Sequence, residues 1–242
     1  MTERRVEENN IEQAVETGLQ PGLNLDVTDV SVPAEMKRSE MLEALAQQLP
    51  EDHAPYTDKY FLRTKQILEA EGLNPTVRAQ IFIRKGPGEV YGMDEALAAI
   101  QKYSPLVENG GAVYAKEEGD HYESCEPVMF IDAPVQDIVE LETFYLGVIA
   151  AATTKMNDGV QGVDLEAARE RMAAVVEAAG DRPVSYFGAR HWDFREDAAI
   201  ANAAFEAGAV SASTDIGAQT AGLEGSGTIP HALENIFAHY YG

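Results

Sequence analysis

The stretch that decides the reading is Tyr186–Leu233, YFGARHWDFREDAAIANAAFEAGAVSASTDIGAQTAGLEGSGTIPHAL. Apolar residues over 183–187 and 209–212 read as short strands. Between them Ala198–Ala207 reads as a helix that ends at Gly208. A glycine-rich loop follows, and Pro230 favours the opening turn of another helix. Strand, helix and strand in this order predict parallel strands with helices packed on them, in which polar residues collect just after the strands. Three polar groups fall there: Phe187-Gly188-Ala189-Arg190, Ser213-Thr214-Asp215 and Gly227-Thr228-Ile229-Pro230-His231.

The residues upstream read as α+β. Met36–Leu49 has helical spacing at Met41, Leu42, Leu45 and Leu49, with Pro50 as its stop. Tyr56–Leu68 reads as an amphipathic helix capped by Thr57 or Asp58, with Ile67 and Leu68 turned to a core. Thr76–Arg84 reads as a strand and Lys85–Gly88 as a turn. Gly86, Gly88 and Gly92 miss the dinucleotide-binding spacing. Asp94 is expected to cap a helix through Ala96, Leu97 and Ile100. Gly110–Tyr114 and Pro127–Ile131 read as strands, and Lys116–Asp120 as a solvated turn. Asp137–Lys155 reads as one helix, with Ile138, Leu141, Tyr145, Val148 and Ala152 on one face. A second helix is capped by Asp164 and stopped at Gly180, with Leu165, Ala168, Met172, Val175 and Ala179 inward. The expected fold class is α/β: an extension over 1–52, an α+β domain with connecting helices over 53–180, and the first part of an incomplete α/β barrel over 181–242.

Charge narrows the partners. Asp and Glu total 41 against 18 Lys and Arg, a formal net charge of -23. Such a surface repels nucleic acid and anionic membranes, so neither is an expected partner, and any phosphate site must be locally basic. The single cysteine, Cys125, excludes a disulfide within the chain, and no third group turns His121 and Cys125 into a catalytic pair. No apolar run reaches the ~18 residues of a membrane span, and the N-terminus lacks an apolar export core, so the expected location is cytoplasmic. No metal site is read from the residues.

Each polar candidate has two readings. The planar fork of Arg190 suits a carboxylate or phosphate; it equally suits a salt bridge to Glu196 or Asp197. Phe187 and Tyr60 could present aromatic faces to a flat ligand or belong to the core. Asp215 could accept a hydrogen bond from a ligand, orient Arg190 or cap a helix. His231, in the first turn of a helix, lies where backbone N–H groups and the helix dipole favour an anion, so a phosphorylated histidine would be stabilised there; a structural role is the alternative.

Taken together, Thr57-Asp58-Lys59-Tyr60-Phe61-Leu62-Arg63-Thr64, Glu126-Pro127-Val128 leading into Leu141-Glu142-Thr143, Phe187-Gly188-Ala189-Arg190 and Gly227-Thr228-Ile229-Pro230-His231-Ala232-Leu233 resemble the nicotinate phosphoribosyltransferase family in its archaeal form, over about residues 53 to 242. The resemblance implies a type II phosphoribosyltransferase fold. It implies transfer of a phosphoribosyl group from phosphoribosyl pyrophosphate to nicotinate in NAD biosynthesis, with Mg²⁺ and with ATP as cosubstrate. It implies that Tyr60 and Phe187 sandwich the pyridine and that Arg190 pairs with its carboxylate or with a phosphate. Asp215 would lie beside the ring, Thr228 would contact nicotinate, and His231 would be the phosphorylated residue. Family members share sites across a dimer, so a homodimer is implied. They also continue well past the equivalent of Gly242, so the expectation is a fragment, or one subunit of a split enzyme, whose activity alone is doubtful. Quinolinate phosphoribosyltransferase is the alternative; it would need further basic residues for a second carboxylate.

The excess of acids generates a test. Salt at about 1 M shortens the Debye length to roughly 3 Å and relieves self-repulsion. The acid excess therefore suggests a protein suited to a salt-rich cytoplasm, and its melting temperature is expected to rise between about 0.1 M and 2 M KCl in a thermal denaturation series; equal stability at both ends removes that inference.

Overall fold

The computed structural model describes residues 38–242. Residues 1–37 of the expected extension, among them the first two residues of the helix expected from Met36, lie outside the described residues. The helices are α1 (Arg38–Gln48), α2 (Lys59–Ala70), α3 (Met93–Tyr103), the single turn α4 (Val135–Ile138), α5 (Glu142–Asp158), α6 (Leu165–Ala179), α7 (Asp197–Glu206), the single turn α8 (Asp215–Ala218) and α9 (His231–Tyr241). The strands are β1 (Thr76–Phe82), β2 (Gly88–Glu89), β3 (Ala112–Ala115), β4 (His121–Tyr122), β5 (Pro127–Pro134), β6 (Ser185–Tyr186) and β7 (Ser211–Ala212). The fold is α/β.

An antiparallel sheet with β5 between β1 and β3 organises the first half. One face of the sheet meets α3 and α5: Ile81, Val113, Met129 and Ile131 pack with Ala96, Leu97, Ile100, Phe144, Val148 and Ile149 in the main core. The other face carries the cross-strand pair Arg78–Asp132, with the guanidinium forked onto both carboxylate oxygens at 2.7 Å and lying 5.1 Å from the Phe130 ring centroid. Phe130 and Ile131 are therefore both buried although they point to opposite faces. In the second half, β6 and β7 pair in parallel across α7, forming the expected strand–helix–strand unit in miniature. Among the described residues no helix is long and apolar enough to cross a membrane.

Several local expectations are corrected. The helix expected over Asp137–Lys155 is two, α4 and α5, with Val139–Leu141 between them. The Glu140 carbonyl accepts the Thr57 hydroxyl at 3.1 Å, and the Phe144 amide bonds Leu141 O instead. Thr57 and Asp58 do not cap α2 with their side chains; both reach toward the start of α5. Asp94 does not cap α3. Gly92 holds the cap position with φ +84°, the Glu118 carboxylate takes the Gly92 and Asp94 amides at 3.0 and 2.9 Å, and Asp94 pairs with Arg38. Asp164 does cap α6, accepting from the Ala167 amide at 3.0 Å.

The inward faces also shift. Leu68 is buried but Ile67 is 40% exposed. None of the apolar residues of α6 is buried, and Val175, read as inward, is 52% exposed. Lys116 belongs to no solvated turn: it is 7% exposed and its ammonium meets Glu126 at 2.8 Å. His121 faces Glu123, and the Cys125 sulfur lies beside the Ser124 hydroxyl.

The helix α5 is the common wall of the main core. Phe144, fully buried, stacks on Phe194 with centroids 4.2 Å apart and meets Tyr56 and Tyr103 edge-on. Phe144→Ala is expected to cost about 3–5 kcal/mol, read as a lower urea midpoint at an unchanged slope.

Candidate functional site

Two helix starts and the ends of two strands meet here. The turn after β6 carries Phe187 and, in a short 3-10 segment over Ala189–His191, Arg190. The start of α2 carries Lys59 and Tyr60; the start of α5 carries Glu142 and Thr143. The Lys59 amide bonds Ser213 O at 2.7 Å, which fixes α2 to the end of β7. The loop over 222–230 folds back on both: the Ser226 amide bonds Ala212 O at 2.8 Å, and Gly227 lies so close to Tyr60 that an added Cβ would stand 2.8 Å from the Tyr60 Cβ. That approach requires glycine.

The Tyr60 and Phe187 rings face one another, 15° from parallel with centroids 6.0 Å apart. They are the two rings expected to hold a flat ligand. A ring between them needs van der Waals contact at 3.5–4.0 Å on each side, about 7 Å in all, so the slot has to widen by at least about 1 Å. Tyr60 is 5% exposed and Phe187 half-buried. The Tyr60 hydroxyl donates to Asp58 Oδ2 at 3.2 Å. Burial, then the Asp58 charge, pushes the Tyr60 phenol well above its ordinary range.

Arg190 pairs with Glu142 at 2.5 Å, not with Glu196 or Asp197. Glu196 pairs with Lys155. The Asp197 carboxylate accepts the Tyr186 and Thr214 hydroxyls. Burial pushes the Glu142 carboxyl up, and the Arg190 charge draws it part of the way back. Glu142, Arg190, His191 and His231 share a cavity of about 770 Å³ with the β1 side of the sheet and the length of α5. His231 is exposed, the first residue of α9, as its position after Pro230 implies.

Asp215 orients nothing on Arg190. It accepts from the Lys59 ammonium at 2.7 Å and from the Gly225 amide at 2.9 Å. The cap of α8 is Thr214, whose hydroxyl takes the Gly217 amide. Thr228 is exposed in the loop over 222–230. The structure thus brings Tyr60 and Phe187 together, brings Arg190 and His231 to one cavity, places Asp215 on Lys59 next to Tyr60, and leaves Thr228 on the surface.

Sequence reasoning missed Asp58, Glu142 and Thr143 as parts of this site. Asp58 is 1% exposed; its Oδ2 accepts the Tyr60 and Thr143 hydroxyls, and its Oδ1 is buried with no hydrogen-bond partner among the described residues. The signal was Asp58 standing before Tyr60 and Glu142 before Thr143, inside two of the motifs already singled out. Among the described residues no three His, Cys, Asp or Glu side chains gather to hold a metal ion.

Residues 58–153 match the family model described as quinolinate phosphoribosyl transferase, N-terminal domain. Among the solved structures similar to the chain are the following two. Nicotinate-nucleotide pyrophosphorylase from Pyrococcus furiosus is 28% identical, with a TM-score of 0.36, over 76% of this chain and 44% of its own length. Human nicotinic acid phosphoribosyltransferase is 17% identical, with a TM-score of 0.35, over 73% of this chain and 39% of its own. The chain therefore spans less than half the length of either. No curated protein matches it.

The pair Lys59–Asp215 generates a pH prediction. Burial alone raises the Asp215 carboxyl, but the Lys59 hydrogen bond and the Gly225 amide outweigh it and leave it below its ordinary value. A lowered carboxyl stabilises the fold above its unfolded value of about 3.9 and loses that contribution as pH falls through its folded value. Lys59→Met is expected to melt below the parent above about pH 4, with the gap closing under further acidification; a constant gap in the melting series would show that the pair does not titrate in this way.

Proposed function

We propose that the chain is the N-terminal part of a phosphoribosyltransferase of NAD-precursor metabolism and that its pyridine substrate is nicotinate. The observation that carries the reading is the near-parallel pair of Tyr60 and Phe187, one of whose rings lies in the segment with the phosphoribosyltransferase family match. The charge of Arg190 is felt at the Tyr60 hydroxyl. Arg190 gives only one nitrogen, Nη1, to Glu142. A guanidinium has five N–H donors, so donors remain for one carboxylate.

The chemistry suits these residue types. The pyridine nitrogen supplies its own lone pair to the anomeric carbon as the bond to pyrophosphate breaks. No strong base is required. Holding the ring and stabilising the developing charges are the protein's tasks. Tyr60 and Phe187 orient the ring plane, and Arg190 sets which edge faces the ribose. Mg²⁺ belongs to this reading as the counter-ion of pyrophosphate and ATP. In the ATP cycle the His231 imidazole attacks the terminal phosphorus of ATP and ADP leaves. The exposed ring at the start of α9, lining the same cavity as Arg190, supports that role. Asp215 and Thr228 remain assigned as ring-side residues on the resemblance of their motifs. A homodimer that shares sites belongs to the same proposal.

Quinolinate is the second reading, favoured by the name of the matching family model. Its second carboxylate needs a second cation at the ring. Lys59, the cation beside Tyr60 in the chain, is already held by Asp215.

Titration calorimetry with nicotinate and quinolinate separates the readings. Nicotinate is expected to bind and quinolinate not, and Arg190→Ala to weaken nicotinate by about 1.5–3 kcal/mol. With phosphoribosyl pyrophosphate, Mg²⁺ and ATP, mononucleotide production by His231→Ala is expected to be slow and indifferent to ATP. Tighter quinolinate binding, unchanged nicotinate affinity in Arg190→Ala, or full ATP stimulation in His231→Ala each counts against the corresponding assignment.

A further inference from the structure

Asp58 is fully buried at the start of α2 and is engaged on both sides of the site. Its Oδ2 accepts the Tyr60 hydroxyl at 3.2 Å and the Thr143 hydroxyl at 2.9 Å. Its own amide donates to Thr143 Oγ1 at 3.0 Å. Thr143 follows Glu142, the partner of Arg190. One carboxylate thus holds the plane of one ring of the aromatic slot and, through α5, the residue that holds the site's guanidinium. Its charge is also felt at Arg190.

The arrangement exceeds what helix capping requires. The side chain makes no cap bond, and its second oxygen is buried without a partner. A buried, half-satisfied carboxylate costs stability. Such groups persist where the surrounding structure over-determines them, and they concentrate at functional sites.

We propose that Asp58 is the positioning residue of the pyridine site: it touches no substrate, but sets the ring plane of Tyr60 and, through Thr143 and Glu142, the direction of Arg190. The claim rests on the nicotinate reading for its effect on binding. It stands on the Asp58–Tyr60–Thr143 contacts for its effect on Tyr60.

The test uses the full chain labelled with ¹³C at tyrosine Cζ, with the Tyr60 signal assigned by its loss in Tyr60→Phe. Asp58→Asn keeps the shape and an accepting oxygen but removes the charge. It is expected to shift the Tyr60 Cζ resonance and weaken nicotinate about threefold to tenfold; Asp58→Ala is expected to weaken it about tenfold to a hundredfold. The KM for phosphoribosyl pyrophosphate is expected to stay within about twofold of the parent. Tyr60→Phe added to Asp58→Ala is expected to cost less than it does alone, because the two residues share one interaction. An unmoved Tyr60 resonance in Asp58→Asn overturns the proposal, as does equal loss of both substrates or full additivity. If Asp58→Ala does not fold, Asp58→Asn and Tyr60→Phe decide. If the parent chain does not bind nicotinate, the functional reading falls, and the Tyr60 resonance alone decides whether Asp58 holds the ring.

Discussion

The carbonyl of Glu140 accepts the Thr57 hydroxyl, and the helix that apolar spacing would carry from Asp137 to Lys155 is interrupted there. The site depends on that interruption. A continuous helix would direct the Glu140 carbonyl to the Phe144 amide and leave Glu142 and Thr143 as ordinary mid-helix residues. With the break, both sit at a fresh helix start, where side chains reach past the end of the backbone ladder. Thr143 then meets Asp58, and Glu142 meets Arg190. Segments more than 80 residues apart are joined at one point by contacts such as Asp58 N to Thr143 Oγ1.

Net charge bears on the site in a second way. With 41 acids against 18 Lys and Arg, a bare cation would attract whichever carboxylate lay near. Here Arg190 is held by Glu142 and Lys59 by Asp215, so each cation has a set direction and much of its charge is already compensated. A binding site for one anion can work on that footing, because the guanidinium keeps donors beyond the one engaged. A second carboxylate would need the release of Lys59 by Asp215 or a cation outside these two pairs, such as the exposed Arg63 on α2. The same two pairs that order these cations thus compensate part of the charge that either could offer a ligand.

Much of the fold is legible in the sequence, and the failures share one cause. Strand and helix positions follow from periodicity, and Asp164, whose cap bond spans three residues, was read correctly. Asp58 and Asp94 have the same local signature as Asp164. Yet one is drawn to Thr143 on α5 and the other to Arg38 on α1, while the amides Asp94 should have capped go to Glu118. Cap preference is a local quantity; a partner 85 or 56 positions away overrides it without leaving a trace in the window around the acid. The same holds at Lys116, which is polar in type but buried because Glu126 is brought against it. Around the candidate site, the motifs drew attention to Tyr60, Phe187 and Arg190, and the two rings do face one another. The acids that hold Tyr60 and Arg190 were not legible, because an acid in so acidic a chain carries little information.

The two walls of the aromatic slot are built unequally, and this bears on how a ring would enter. Tyr60 is packed in a cluster with Phe61, Leu68 and Leu73, its hydroxyl is tied to Asp58, and Gly227 presses on its backbone. Phe187 is half-buried and packs against that cluster from outside. Its turn is held from beneath: Tyr186 bonds Asp197 through its hydroxyl, and its carbonyl accepts the Ser213 amide. A widening of at least about 1 Å, the least that a ring such as the proposed pyridine would require, would therefore fall to the Phe187 side chain, because moving Tyr60 would break its bond to a buried carboxylate. A fixed wall with a yielding one would, for the proposed pyridine ligand, set the plane of the slot in advance and leave its width to the ligand. That division would keep the ordering cost of binding to one side chain.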